Sequence, residues 1–102
     1  MTVKNVLIEA RDLIINKGWT QKVFARDEFN NRISQYDKSA CSYCMIGACR
    51  TAAMRHNVGP ISALNALKNA INHPFISVWN DNPYRTKEEV IEAFNKAIDL
   101  CE

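Results

Sequence analysis

Glycine and proline are scarce in this chain, three of each among 102 residues, and that scarcity constrains the fold more than any other feature of the sequence. A sandwich or barrel of this length needs many tight turns, and such turns draw heavily on these two residues. Helices should dominate, with a little β structure, in a mainly α (α+β) arrangement of about four helices. The length allows one domain, residues 1–102, and no second. A domain this small buries only about two thirds of the surface its unfolded chain exposes, so a homo-oligomer, most simply a two-fold dimer, is expected to supplement the core.

Apolar spacing places the helices. Val6, Leu7, Ala10, Leu13 and Ile14 recur on one face of Val3 to Lys17, and Gly18 follows as a stop that can adopt positive φ. From about Ser42 to Arg55 the apolar positions spread round most of a helix, which marks it as central. Gly47 inside that helix costs roughly 1 kcal/mol relative to alanine, so another backbone or a ligand should approach closely there. Pro60 suits the start of a third helix through Ile61, Leu64, Leu67, Ala70 and Ile71, ended by His73-Pro74. Thr86-Lys87-Glu88-Glu89 is a capping box that opens the last helix, with Val90, Ile91, Phe94, Ala97, Ile98 and Cys101 as its buried stripe. Between the helices, Val23 to Arg26 and Ile33 fit a short hairpin with its turn near Asn30-Asn31, and Ile76 to Trp79 reads as a second small strand.

The formal net charge of +2 is too weak a field to indicate a nucleic-acid partner. Its distribution is uneven, since residues 1–56 sum to +4 and residues 57–102 to −2, an arrangement that suits head-to-tail self-association or a basic face for an anion; the plainer alternative is a mixture of solvated faces. The first residues lack the uninterrupted apolar run of a signal peptide, because Glu9, Arg11 and Asp12 break it, and no segment approaches a membrane span of about 18 apolar residues. A cytoplasmic chain with reduced thiols at Cys41, Cys44, Cys49 and Cys101 is the expectation.

Cys41, Cys44, Cys49 and His56 are potential zinc ligands by type. An Ala-rich helix cannot fold all four onto one ion, so no metal and no cofactor is expected. Cys44 near a helix N-terminus is a candidate thiolate nucleophile, with His73 as base and Asn80 or Asp81 as orienting group; the alternative is a small buried residue packed near Gly47. The richest constellation is Trp79-Asn80-Asp81-Asn82-Pro83-Tyr84-Arg85-Thr86, just ahead of a helix N-terminus where unpaired N–H donors favour anions. Arg85 could hold a phosphate or carboxylate, Trp79 or Tyr84 could stack on a flat base, and Asn80 or Asp81 could read its edge. The alternative is an Asx turn with Arg85 paired to Asp81. Trp19 and Arg26 form a second, weaker mixture of aromatic and charge.

Gly18-Trp19-Thr20-Gln21, Ala25-Arg26-Asp27, Cys44-x-x-Gly47-Ala48 and Trp79-Asn80-Asp81-x-Pro83-x-Arg85-Thr86-x-Glu88-Glu89-Val90 occur in that order. Together they resemble a family of small uncharacterised proteins of bacteria and their phages, a domain of unknown function. The resemblance spans nearly the whole chain, with Asn30-Asn31 standing where a glycine-bearing turn is expected. It implies a bacterial or phage source and a shared polar site. The function expected from these residues is a small non-enzymatic binding protein for an anionic, nucleotide-like molecule, coherent with a phage protein that sequesters a host signalling nucleotide and so antagonises host defence. The expected ligand contacts are Trp79, Asn80, Asp81, Tyr84, Arg85, Thr86, Trp19, Arg26 and Cys44. The alternatives are a Cys44-dependent hydrolase or transferase and a helical module that inhibits a host protein.

Overall fold

The computed structural model, which describes residues 2–101, has five helices and a small three-stranded sheet. Helix α1 (Val3–Asn16) is capped by Thr2, whose side chain accepts a hydrogen bond from the amide of Asn5 at 3.2 Å. The spacing read from the sequence is the face it buries: Val6, Leu7, Ala10, Leu13 and Ile14. Strands β1 (Ala25–Arg26), β2 (Arg32–Ile33) and β3 (Ser42–Tyr43) follow, then α2 (Met45–Arg55), α3 (Ile61–Ile71), α4 (Ile76–Asn80) and α5 (Lys87–Leu100). Among the described residues no helix is long and apolar enough to cross a membrane.

The hairpin forms where it was expected. β1 pairs antiparallel with β2, Ala25 opposite Ile33 and Arg26 opposite Arg32. Its turn is held by Asp27, whose Oδ1 accepts from the amides of Phe29 and Asn31, both at 2.9 Å. Asn30 sits in the left-handed region at φ 67°, which asparagine tolerates better than most residues, so no glycine is needed. β1 also pairs antiparallel with β3, giving the order β2-β1-β3. Ser42 and Tyr43, expected as the first turn of the central helix, are a strand: Tyr43 bonds Gly18 and Thr20 of the segment after α1 on one side, and on the other it stands opposite Ala25, where the amides of Cys41 and Cys44 donate to the carbonyls of Arg26 and Phe24. Gly18 takes φ 154°, and a Cβ there would meet the carbonyl of Cys41 at 3.2 Å.

The expected strand over Ile76 to Trp79 is instead α4. Asn72 in the left-handed conformation closes α3, and the Nδ1 of His73 accepts from the amide of Phe75, so the chain reverses at once into a new helical turn. Ile76 and Asn80, four residues apart, turn inward while Phe75 and Val78 face outward, a helical alternation in a run that lies between two prolines and shows no clean helical period in the sequence.

The core lies where α1 packs on α2 and α5, and α3 packs on α5. Leu7, Ile14, Met45, Leu67, Val90 and Phe94 are fully buried, and Ala10, Ala48, Ala52, Ala53, Ala63 and Ala97 let the helix axes come close. The capping box of α5 forms as read: Thr86 accepts from the amide of Glu89, and Glu89 accepts from the amide of Thr86. Glu9 on α1 joins the end of α2 through His56 at 2.8 Å and Arg55 at 3.4 Å.

Candidate functional site

Sequence motifs far apart in the chain meet around Asn80. Only 1% exposed, this side chain accepts at Oδ1 from the Trp19 indole N–H (2.9 Å) and from the amide of Met45 (3.1 Å). Its Nδ2 donates to the carbonyl of Thr20 (3.2 Å) and to Oδ1 of Asp81 (2.9 Å). Two donors and two acceptor positions are all used, which is the full capacity of a primary amide. Gln21 adds bonds from Nε2 to the carbonyls of Asn80 and Asn82, and the amide of Lys22 donates to Asp81 Oδ1 at 2.8 Å. Arg26 then ties this loop to the hairpin, donating to Thr20 Oγ1 (2.7 Å) and to the carbonyls of Asn30 and Gln21. The 18–22 segment, the hairpin, the start of α2 and the end of α4 are thus locked by one polar network.

Arg85 does not pair with Asp81. Its guanidinium lies 3.6 Å from the centroid of the Trp79 ring, its Nε donates to the Trp79 carbonyl at 2.9 Å, and its Nη1 reaches Glu89 at 3.3 Å. The side chain is only 16% exposed and serves as a clasp between α4 and α5. Thr86 is committed to the capping box with Glu89, while Tyr84 stands 90% exposed. Trp79, Arg85 and Thr86 therefore come together, on the side of the loop that faces α5.

On the other side of Asn80 and Asp81 lies a pocket of about 300 Å³, lined by Lys22, Val23, Phe24, Arg32, Cys44, Ile46 and Ser77 as well as by those two residues. Of the residues read from the sequence, Asn80, Asp81 and Cys44 line it; Trp19 and Arg26 brace it from behind through the bonds above. Val23, Phe24 and Ile46 give it apolar walls. Lys22 and Arg32 are exposed and, among the described residues, neither is in an ion pair. Arg26, opposite Arg32 in the hairpin, has only neutral acceptors, and the guanidinium of Arg50 lies 4.7 Å from the centroid of the Phe24 ring; neither lines the pocket, whose one carboxylate is that of Asp81. Lys22 holds a left-handed backbone at φ 74°, which costs on the order of 1 kcal/mol for a non-glycine residue and aims its amide at Asp81.

Cys44 caps α2: its sulfur accepts from the amide of Gly47 at 3.3 Å. Burial pushes its thiol pKa upward, against hydrogen bonds from backbone amides that pull it down, and the Asp81 carboxylate pushes it further up. No histidine lines this pocket. His73 is engaged with the amide of Phe75 and His56 with Glu9, so neither is placed to take a proton from Cys44. Among the described residues no group of three or more His, Cys, Asp or Glu stands where it could hold a metal ion, and all four thiols are free.

A pH dependence follows from the buried thiols. Burial raises the pKa of Cys44, of Cys49 and of the phenol of Tyr43. Between the ordinary and the raised values the folded chain holds more protons than the unfolded one, so stability is full below about pH 8.5 and falls as pH rises beyond it. Urea denaturation at pH 7 and pH 10 should show the midpoint fall, and Cys44→Ala combined with Cys49→Ala should flatten that fall. Alkylation of Cys44 in the native protein at pH 7 should be far slower than in denaturant; an equal rate would mean an open, ionised thiol.

Lys22, Phe24, Arg32 and Ser77 carried no mark in the sequence, since each is ordinary where it stands. The one available signal was the hairpin itself, which brings Arg32 back beside Phe24. The residues that did stand out, Trp19, Arg26, Asn80 and Arg85, did so because holding this loop cluster together requires their particular hydrogen-bonding shapes.

No curated protein and no solved structure matches the chain. The sequence profile of DUF6197, a family of unknown function, matches residues 1–100. The motifs that meet around Asn80 fall within this match, and the chain belongs to that family.

Proposed function

We propose that the chain is a binding protein for a small anionic, nucleotide-like molecule, one that it holds without transforming, as in sequestration of a signalling nucleotide. Its seat is the pocket between the hairpin and the end of α4. The observation that supports this reading is the pair of unpaired cations, Lys22 and Arg32, on a concave surface with apolar walls. A cation left without a carboxylate at the rim of a pocket is available to a phosphate, whereas Arg85 already has partners. The neutral thiol of Cys44 then serves as packing and cap.

A panel of mono-, di- and cyclic nucleotides tests it by thermal shift. At about one hundred times its dissociation constant a ligand adds roughly 2.7 kcal/mol, which in a domain of about 100 residues raises the melting midpoint by about 10–20 °C. Lys22→Asn together with Arg32→Gln should abolish the shift while leaving the free protein folded, since both side chains are exposed and asparagine accepts a left-handed backbone. Arg85→Ala should lower stability by about 1–2 kcal/mol, through loss of the clasp on Trp79, and keep the shift. A wild type that no nucleotide stabilises, or a double variant that keeps its shift, overturns the reading.

A second reading, a protein-interaction face or dimer contact, draws on Phe75, Val78 and Tyr84, large apolar side chains left exposed around α4. Light scattering that gives twice 11.6 kDa, reduced to one copy by Phe75→Ser with Val78→Ser, would support it.

A further inference from the structure

We infer that Asp81 reads the edge of the ligand's base and selects guanine over the other bases; the inference rests on the nucleotide-binding reading above. Asp81 is fixed at three points. Its amide donates to the carbonyl of Ser77 at 2.9 Å, and its Oδ1 accepts both from the amide of Lys22 at 2.8 Å and from Nδ2 of Asn80 at 2.9 Å. Both side-chain bonds fall on the same oxygen. Oδ2 has no partner among the described residues, and the residue lines the pocket. The carboxylate is held rigidly by atoms that are themselves anchored, which leaves the two lone pairs of Oδ2 for two donors that converge on one oxygen.

An ionised carboxylate can only accept, so it demands donors from whatever faces it. Among the neutral bases guanine alone offers two adjacent donors on its pairing edge, the ring N1–H and the exocyclic amino group. Adenine and cytosine place a ring nitrogen acceptor beside their amino donor, and uracil flanks its single N–H with two carbonyls, so each would turn a lone pair toward the charge. The remaining pocket features complete the fit. The Phe24 ring is partly exposed and gives a flat surface for a base, Lys22 and Arg32 supply two positive charges for a phosphate, and about 300 Å³ is at the small end of ligand pockets and suits one base rather than two.

Isothermal titration of the intact protein with the four ribonucleoside 5′-monophosphates tests this. Guanosine monophosphate should bind roughly 10–100-fold more tightly than the adenosine, cytidine and uridine monophosphates. The N1-methylated form of guanosine monophosphate, which removes one donor without altering the protein, should lose most of that preference. Asp81→Asn, confirmed folded by its circular dichroism spectrum, should bind all four alike. Equal affinity of the wild type for the four nucleotides overturns the role of Asp81 and leaves the anion-binding reading standing; absence of binding by any of them overturns both.

Discussion

Replacing Asn80 by alanine is expected to cost about 3–5 kcal/mol of folding stability, a large share of the roughly 5–15 kcal/mol that holds a domain of this kind together. The expectation comes from counting what is stranded. Asn80 is fully buried, and its loss leaves the Trp19 indole N–H, the amide of Met45 and the carbonyl of Thr20 without the partners they have in the folded chain. Each unsatisfied buried group costs about 1–3 kcal/mol, and water can reach some of them only by opening the network. In urea the midpoint should fall with the slope unchanged, as for a change in stability alone. Asn80→Asp distinguishes the amide from its oxygen. It keeps an acceptor for Trp19 and Met45 but removes the donor to Thr20 and sets a second carboxylate against Asp81, so it too should destabilise, and more at pH 7 than at pH 4, where one carboxyl can be protonated. A loss below about 1 kcal/mol for Asn80→Ala would mean that the loop cluster does not need this hub.

That hub explains which parts of the molecule were legible in the sequence. The long helices and the hairpin turn were, because they depend on local features: the stripe of α1, the capping box of α5 and the turn asparagine at position 30 each act over a few residues. α4 was not, since five residues carry too little periodicity to outweigh the β-branched Ile76 and Val78, and its helical form depends on burying Ile76 and Asn80 against the rest of the fold. β3 was missed for a related reason: Ser42 and Tyr43 continue the apolar pattern of α2, and only pairing with β1 and with the segment after α1 makes them a strand. The polar site was half legible. Trp19, Arg26, Asn80 and Arg85 stand out as chemically expensive residues, yet their hydrogen-bonding capacity is spent inside the fold: Trp19 on Asn80, Arg26 on Thr20, Gln21 and Asn30, and Arg85 on Trp79 and Glu89. The pocket, which of these four only Asn80 lines, is walled largely by residues of no local distinction, Lys22, Phe24, Arg32 and Ser77, whose meeting depends on the hairpin register and on the helical turn of α4.

Gly47→Ala should destabilise the chain by roughly 2–3 kcal/mol, the reverse of what the same substitution does in an ordinary helix, where alanine gains about 1 kcal/mol over glycine. The sign turns on one contact. A Cβ built on Gly47 would fall on the carbonyl oxygen of Phe24, which is backbone and already accepts from the amide of Cys44 at 3.1 Å, so neither side has a flexible atom to move. The first turn of α2 would have to lift away from β1, and with it would go the sulfur cap at Cys44 and the wall that Phe24, Cys44 and Ile46 give to the pocket. Gly59→Ala is the internal control, because a Cβ there meets nothing within 4 Å and the backbone needs no positive φ; it should be neutral or stabilise by a few tenths of a kcal/mol through the unfolded state. Thermal melts of the two variants should therefore move in different directions or by very different amounts. Native alkylation adds a local readout: if α2 has lifted from β1, Cys44 in the Gly47→Ala protein should react faster than in the wild type at the same pH, and faster still relative to Cys49, which lies deeper in the same helix. A Gly47→Ala protein as stable as the wild type, with Cys44 still protected, would show that the strand can yield, and the pocket wall would then be softer than its geometry indicates.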